Sequence, residues 1–241
     1  MEAQLSRDLT ILPSVCDAQL RLSVPDLFAQ FMDIATLHAE ALGVGANALV
    51  TRGISWITVK TKVHILRRPR LMETVTVSTR PLVPEKVRAI REYRLEKDGE
   101  LLAEGKTEWA VIDLSTGRPM LTEGIFDASL ELAAEPAYPE PFARIRPDFT
   151  EGERLGTWQV RSTDIDFLGH MNNIAYLRAV FGILPSRELK AMPQGGVEII
   201  FRSPCFEGET LTLIRRLTDV GWELALLKQD GTPAAFLKLD R

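Results

Sequence analysis

The sequence predicts an α+β fold built from two copies of one unit, in which antiparallel strands wrap around a long helix. Three observations predict it. A helical stripe of apolar residues precedes runs that alternate with a period of two, the order of a helix followed by a meander. A proline-rich stretch separates two such regions. Finally, landmarks return in the same order along the 241 residues. Met32-Asp33-Ile34-Ala35 answers Met171-Asn172-Asn173-Ile174 at an offset of 139, and Arg67-Arg68-Pro69 answers Arg202-Ser203-Pro204 at 135. Glu73-Thr74-Val75-Thr76-Val77 answers Glu209-Thr210-Leu211-Thr212-Leu213 at 136, and Asp98-Gly99 answers Asp230-Gly231 at 132.

Residues 9 to 23, with Ala18-Gln19-Leu20-Arg21-Leu22, read as a leading strand. Pro25 opens a helix on which Leu27, Phe28, Phe31, Ile34, Ala35, Leu37 and Leu42 share a face, and Gly43 and Gly45 end it. Alternation from Ile54 to Leu66 gives a strand that Arg67-Arg68-Pro69-Arg70 breaks. Glu73 to Thr79 form the next strand, with Pro81 and Pro84 at its exit. Arg88 to Glu96 and Glu100 to Ile112 make a hairpin about Lys97-Asp98-Gly99. Pro119, Pro136, Pro139, Pro141 and Pro147 favour an extended path across a surface. The predicted domains are therefore residues 1–118 and 153–241, joined by a linker at 119–152.

A hydrophobic content of 45% can fill a core without staples. Cys16 and Cys205 have neither disulfide-framework nor zinc-site spacing, and His38, His64 and His170 form no paired metal motif, so no metal and no cofactor are expected. A formal charge of −4 and a pI near 5.6 argue against a nucleic-acid partner. Without a signal-like leader or an apolar run long enough to span a bilayer, the expectation is a cytoplasmic protein with no membrane partner, a monomer or homodimer.

The candidate site is Thr163-Asp164-Ile165-Asp166-Phe167-Leu168-Gly169-His170-Met171-Asn172-Asn173, where a polar run turns into an apolar helix. A helix N-terminus supplies N–H groups that polarise a carbonyl, and a carboxylate just upstream can attack that carbonyl or activate water. Asp166 and His170 are then the reactive pair of an acyl-transfer or hydrolysis site. The residues alone leave a second reading open, in which the acids shape the turn, Asn172 or Asn173 caps the helix and His170 is an ordinary turn histidine.

The DxDxxGHxNNxxY run from Asp164 to Tyr176, together with the duplicated helix and sheet, resembles the acyl-acyl-carrier-protein thioesterases of the hotdog superfamily. His38-Ala39-Glu40-Ala41-Leu42-Gly43 and Gly53-Ile54-Ser55-Trp56 extend the resemblance to the first half. It implies a tandem (double) hotdog fold and hydrolysis of fatty acyl thioesters, on acyl carrier protein, to free fatty acid and carrier thiol. Asp166 and His170 match the first and last positions of the family's Asp-x-Asn-x-His run. Leu168 stands where the family has asparagine, and Pro204 where it has a glutamate. On related single-hotdog enzymes the carboxylate at the Asp166 position acts as nucleophile or water-activating base. On that model the backbone from Gly169 to Met171 polarises the carbonyl, and Asn172 and Asn173 assist in holding substrate. Two alternatives stand beside this: an acyl-CoA thioesterase of the same fold, or a protein that binds acyl thioesters without cleaving them.

In the family the first half supplies the acyl pocket, which makes Phe31 and Trp56 candidate lining residues; ordinary core packing is the competing account. Arg67, Arg68 and Arg70 form a basic run on an acidic chain, a possible docking patch for an acidic carrier protein or a solvated strand end. Arg215 and Arg216 mark the corresponding exit in the second half.

Overall fold

The structure, a computed structural model, describes residues 3–191 and 195–240. The chain divides into two compact units, Met1–Glu140 and Pro141–Arg241. The first contains β1 (Leu5–Thr10), α1 (Val24–Ala41), α2 (Ala46–Val50), β2 (Ile54–Ile65), β3 (Thr74–Pro81), β4 (Ala89–Lys97), β5 (Glu100–Asp113) and β6 (Pro119–Met120). The second contains β7 (Glu153–Gln159), α3 (Asn173–Ile183), α4 (Ser186–Ala191), β8 (Gly195–Phe201), β9 (Thr210–Thr218), β10 (Gly221–Leu227) and β11 (Pro233–Asp240).

Both units have the same strand path. The first sheet runs β1-β3-β4-β5-β2, with β6 beside β5, and the second runs β7-β9-β10-β11-β8, with the described ladders within each unit antiparallel. In the first unit, α1 starts where Ser23 accepts from the Asp26 N–H at 3.1 Å. Its apolar face, Leu27, Phe28, Phe31, Ile34 and Ala35, is buried against the sheet, with β3 and β1 as its main strand neighbours. Asp98 and Gly99 close the β4–β5 hairpin at φ 50° and 83°, the left-handed pair that a two-residue turn requires. In the second unit α3 is capped by the Asn172 side chain, which accepts from the Ala175 N–H at 2.9 Å.

The first strand ends at Thr10, before most of the predicted stretch. Pro13–Val15 form a single 3-10 turn, and Asp17 to Leu20 turn again, because the Asp17 carboxylate captures N–H groups that a ladder would otherwise use. The register of the repeat also differs from the sequence matches. Ser23 and Asn172 are the two N-caps, so the helix entrances correspond at an offset of 149 rather than 139. At the strand exit, Leu66 and Arg67 both donate to Leu102 O, and Arg202 and Ser203 both donate to Ala234 O. Arg68 therefore corresponds to Pro204, one residue away from the sequence match.

The proline-rich connector is held to both units by one device. Arg80 pairs with Glu92 at 2.9 Å and donates to Glu135 O at 3.1 Å, while Glu92 accepts from the Tyr138 N–H at 2.9 Å. In the second unit Arg216 pairs with Glu223 and donates to Asp148 O and Arg146 O. Phe149 stacks on Phe236, with centroids 5.7 Å apart, in a cluster with Ala225. Arg216 thus lies inside β9 and answers Arg80, not the Arg67 to Arg70 exit.

Candidate active site

Asp166 sits in a five-residue turn between a 3-10 turn at Ser162–Asp164 and the N-cap of α3. Its own N–H donates to His170 O at 2.8 Å, and its carbonyl accepts from Gly169 at 3.0 Å. Its Oδ1 accepts from the Leu168 N–H at 2.9 Å and from the His170 N–H at 3.4 Å. The other oxygen, Oδ2, has no protein donor among the described residues, and no arginine or lysine there forms an ion pair with it. Gly169 takes φ 78°, the left-handed conformation that closes the turn, where a side chain would be strained.

The two acids of the motif do different work. Asp164 is buried, and its Oδ2 accepts from Trp158 Nε1 at 3.1 Å and from the Arg161 N–H at 3.0 Å. Asn172 closes the other side, its Nδ2 and N–H both donating to Asp164 O. The segment is a 3-10 turn followed by a tight turn and not a regular strand. Asp164 ties the turn to β7 and α3.

The backbone from Gly169 to Met171, expected to polarise a carbonyl, makes hydrogen bonds within the protein. Gly169 and His170 N–H groups are directed to Asp166, and Met171 N–H donates to Cys205 O at 2.8 Å. Each donor is already committed. Near the turn stand the imidazole of His170 and the N-terminus of α3, whose aligned peptide dipoles favour negative charge. The imidazole stands edge-on to Phe206, ring centres 5.2 Å apart.

Cys205 and Tyr176 adjoin the turn without offering a nucleophile. Burial pushes the Cys205 thiol up, and burial pushes the Tyr176 hydroxyl well above its usual range. Glu209 accepts from the Phe206 N–H at 2.9 Å and pairs with Lys228 at 3.1 Å, so it braces its own loop. Pro204 is exposed, and its carbonyl accepts from Lys228 at 2.7 Å.

Phe31 and Trp56 belong to the first unit. Phe31 is fully buried and stacks on Tyr93 at 4.9 Å. Trp56 donates to Val44 O at 2.8 Å and packs beside Phe126 against a cluster of Leu42, Val44, Leu49 and Ile54. These contacts account for both without an acyl chain. Of the basic run, Arg67 pairs with Glu73 and Glu100, and Arg68 pairs with Asp17. Arg70 is exposed, with no acidic partner among the described residues. The sequence reading missed Trp158, Phe206 and Lys228; only Lys228, beside the repeated Asp-Gly turn as Lys97 is, left a trace in the pattern.

Residues 4–125 match the family model for the acyl-ACP thioesterase N-terminal domain, and residues 150–230 match the model for the C-terminal domain. The structure is similar to an acyl-ACP thioesterase from Bacteroides thetaiotaomicron, with 20% identity, 99% of this chain and 97% of that one covered, and a TM-score of 0.90. It is also similar to the 12:0-ACP thioesterase from Umbellularia californica, with 15% identity, coverage of 100% and 97%, and a TM-score of 0.84. At these identities the likeness is one of fold, the tandem hotdog. No curated protein sequence matches at a significant level.

Proposed function

We infer the chemistry of the turn from one premise: the chain belongs to the acyl-ACP thioesterase family and hydrolyses acyl-ACP thioesters to free fatty acids. On this reading Asp166 is the working carboxylate. Its Oδ2 takes a proton from water as the water oxygen attacks the thioester carbonyl. The tetrahedral intermediate then expels the carrier thiolate, which recovers that proton, leaving a fatty acid. The His170 imidazole orients the water or the carbonyl, and the N-terminal turn of α3 favours the developing oxyanion.

The observation that carries this reading is the asymmetry of the Asp166 carboxylate. Two backbone N–H groups direct bonds to Oδ1, which fixes the orientation, while Oδ2 has no protein donor among the described residues. A general base needs one lone pair held in place and unoccupied. Arg70 is the member of the basic run available to an acidic carrier, since Arg67 and Arg68 are engaged by acids of their own unit.

The test is thiol release from acyl-ACP and acyl-CoA by wild type and Asp166→Ala. The variant is expected to lose about 10²–10⁴-fold in kcat with its fold intact. An Asp166→Ala enzyme that keeps wild-type turnover would place the chemistry elsewhere.

A further inference from the structure

The turn that carries Asp166 is present twice. In the first unit the Asp17 N–H donates to Arg21 O at 2.8 Å and the Leu20 N–H to Asp17 O at 3.0 Å. Asp17 Oδ1 accepts from the N–H groups of Gln19 at 2.8 Å and Arg21 at 3.2 Å. Every one of these bonds recurs 149 residues later, at Asp166, Leu168, Gly169 and His170. Leu20 even takes the left-handed conformation of Gly169, at φ 56°. Cys16 bridges Leu22 as Ile165 bridges Met171.

The facing segment is duplicated as well. Leu22 N–H donates to Pro69 O at 2.8 Å, as Met171 N–H does to Cys205 O. Glu73 accepts from the Arg70 N–H and pairs with Lys97, as Glu209 accepts from the Phe206 N–H and pairs with Lys228. The backbone frame is thus the same, and the side chains are not. Arg68 forms an ion pair with Asp17 Oδ2 and donates to Leu22 O and to Gln19 Oε1, each at 3.1 Å. Its counterpart is Pro204. The counterparts of Arg21 and Arg70 are His170 and Phe206, so three arginines of the first copy give way to an imidazole and two uncharged residues.

We propose that the residue at position 204 makes the second turn catalytic: Arg68 closes the Asp17 carboxylate, whereas Pro204 leaves the Asp166 carboxylate open to water and thioester. A guanidinium on the second oxygen occupies the lone pair that would take a proton. Because Arg68 reaches Asp17 from a backbone frame that Pro204 shares, an arginine at 204 reaches Asp166 in the same way. The inference rests on the assignment of Asp166 as the working carboxylate.

The experiment compares thiol release from acyl-ACP by the full-length variants Asp166→Asn, Asp17→Asn, Pro204→Arg and Pro204→Met, with thermal melts to verify folding. Pro204→Arg is expected to fall at least about 100-fold in kcat, Pro204→Met to stay within about fivefold and Asp17→Asn within about twofold, as a charge lock requires. A Pro204→Arg enzyme as active as wild type overturns the inference. So does a Pro204→Met enzyme as impaired as Pro204→Arg, since bulk would then be the cause, or an Asp17→Asn enzyme as impaired as Asp166→Asn. Should Pro204→Arg fail to fold, Pro204→Lys takes its place with the same expectation and the same overturning result. An active Asp166→Asn enzyme instead refutes the assignment of Asp166, and is distinguishable because Pro204→Arg is then irrelevant to turnover.

Discussion

The Leu168 N–H donates to Asp166 Oδ1 at 2.9 Å, so Leu168 serves the turn through its backbone. Any residue other than proline leaves that donor in place, so the bond to Asp166 does not depend on the side chain at position 168. Leu168→Ala and Leu168→Asn are expected to keep kcat within about threefold of wild type in the thiol-release assay, as substitutions that spare the bond to the base should. A loss comparable to that of Asp166→Ala would assign the side chain a direct role.

Arg70 is exposed and lacks an acidic partner among the described residues, while Arg67 pairs with Glu73 at 2.8 Å. Arg70→Glu is expected to raise KM for acyl-ACP about 3- to 10-fold, more at low salt, and to leave acyl-CoA turnover unchanged, the behaviour of a rim charge. Equal effects on both substrates would remove Arg70 from carrier recognition.

Asp164 accepts from Trp158 Nε1 and from the Arg161 N–H. Asp164→Ala leaves both donors without their partner and should cost about 2–3 kcal/mol in denaturant unfolding, with Trp158→Phe costing about 1 kcal/mol. If Asp164→Ala abolished turnover at unchanged stability, Asp164 would be a reacting group and not a brace.

Burial opposes ionisation of Glu73, but the Arg70 N–H, Arg67 and Lys97 outweigh it and hold its carboxyl at about 2, against an ordinary value of 4.5. The folded value lies below the unfolded one, so the stabilisation is complete above about pH 4.5 and is lost as pH falls toward 2. Allowing for solvent screening, about 1–2 kcal/mol of acid-side stability should disappear in Glu73→Gln. Unfolding curves between pH 2 and 6 that run parallel for the two proteins would contradict this.

Much of the fold was legible because periodicity and turn chemistry are local. The stripe from Leu27 to Ala35 and the Asp98-Gly99 turn each specify their own geometry, and Glu73 and Glu209 mark the same brace in both halves. The two acid turns were not matched, because Asp17-Ala18-Gln19-Leu20-Arg21 and Asp166-Phe167-Leu168-Gly169-His170 share only their first residue. Their likeness lies in backbone hydrogen bonds, which side-chain identity does not encode. The pairing of Arg68 with Asp17 was hidden for another reason: 51 residues separate them, and only the folded sheet exit brings them together. The bond that takes up the Met171 N–H likewise depends on Cys205, far along the chain.

The same backbone turn, closed by an ion pair in one half and left open in the other, divides the burdens of a duplicated chain. Substitutions around Asp17 leave the Asp166 carboxylate and the backbone bonds to it untouched. For protein engineering this makes the first half the place to raise the stability of its own unit, since stabilising substitutions there need not alter the Asp166 turn.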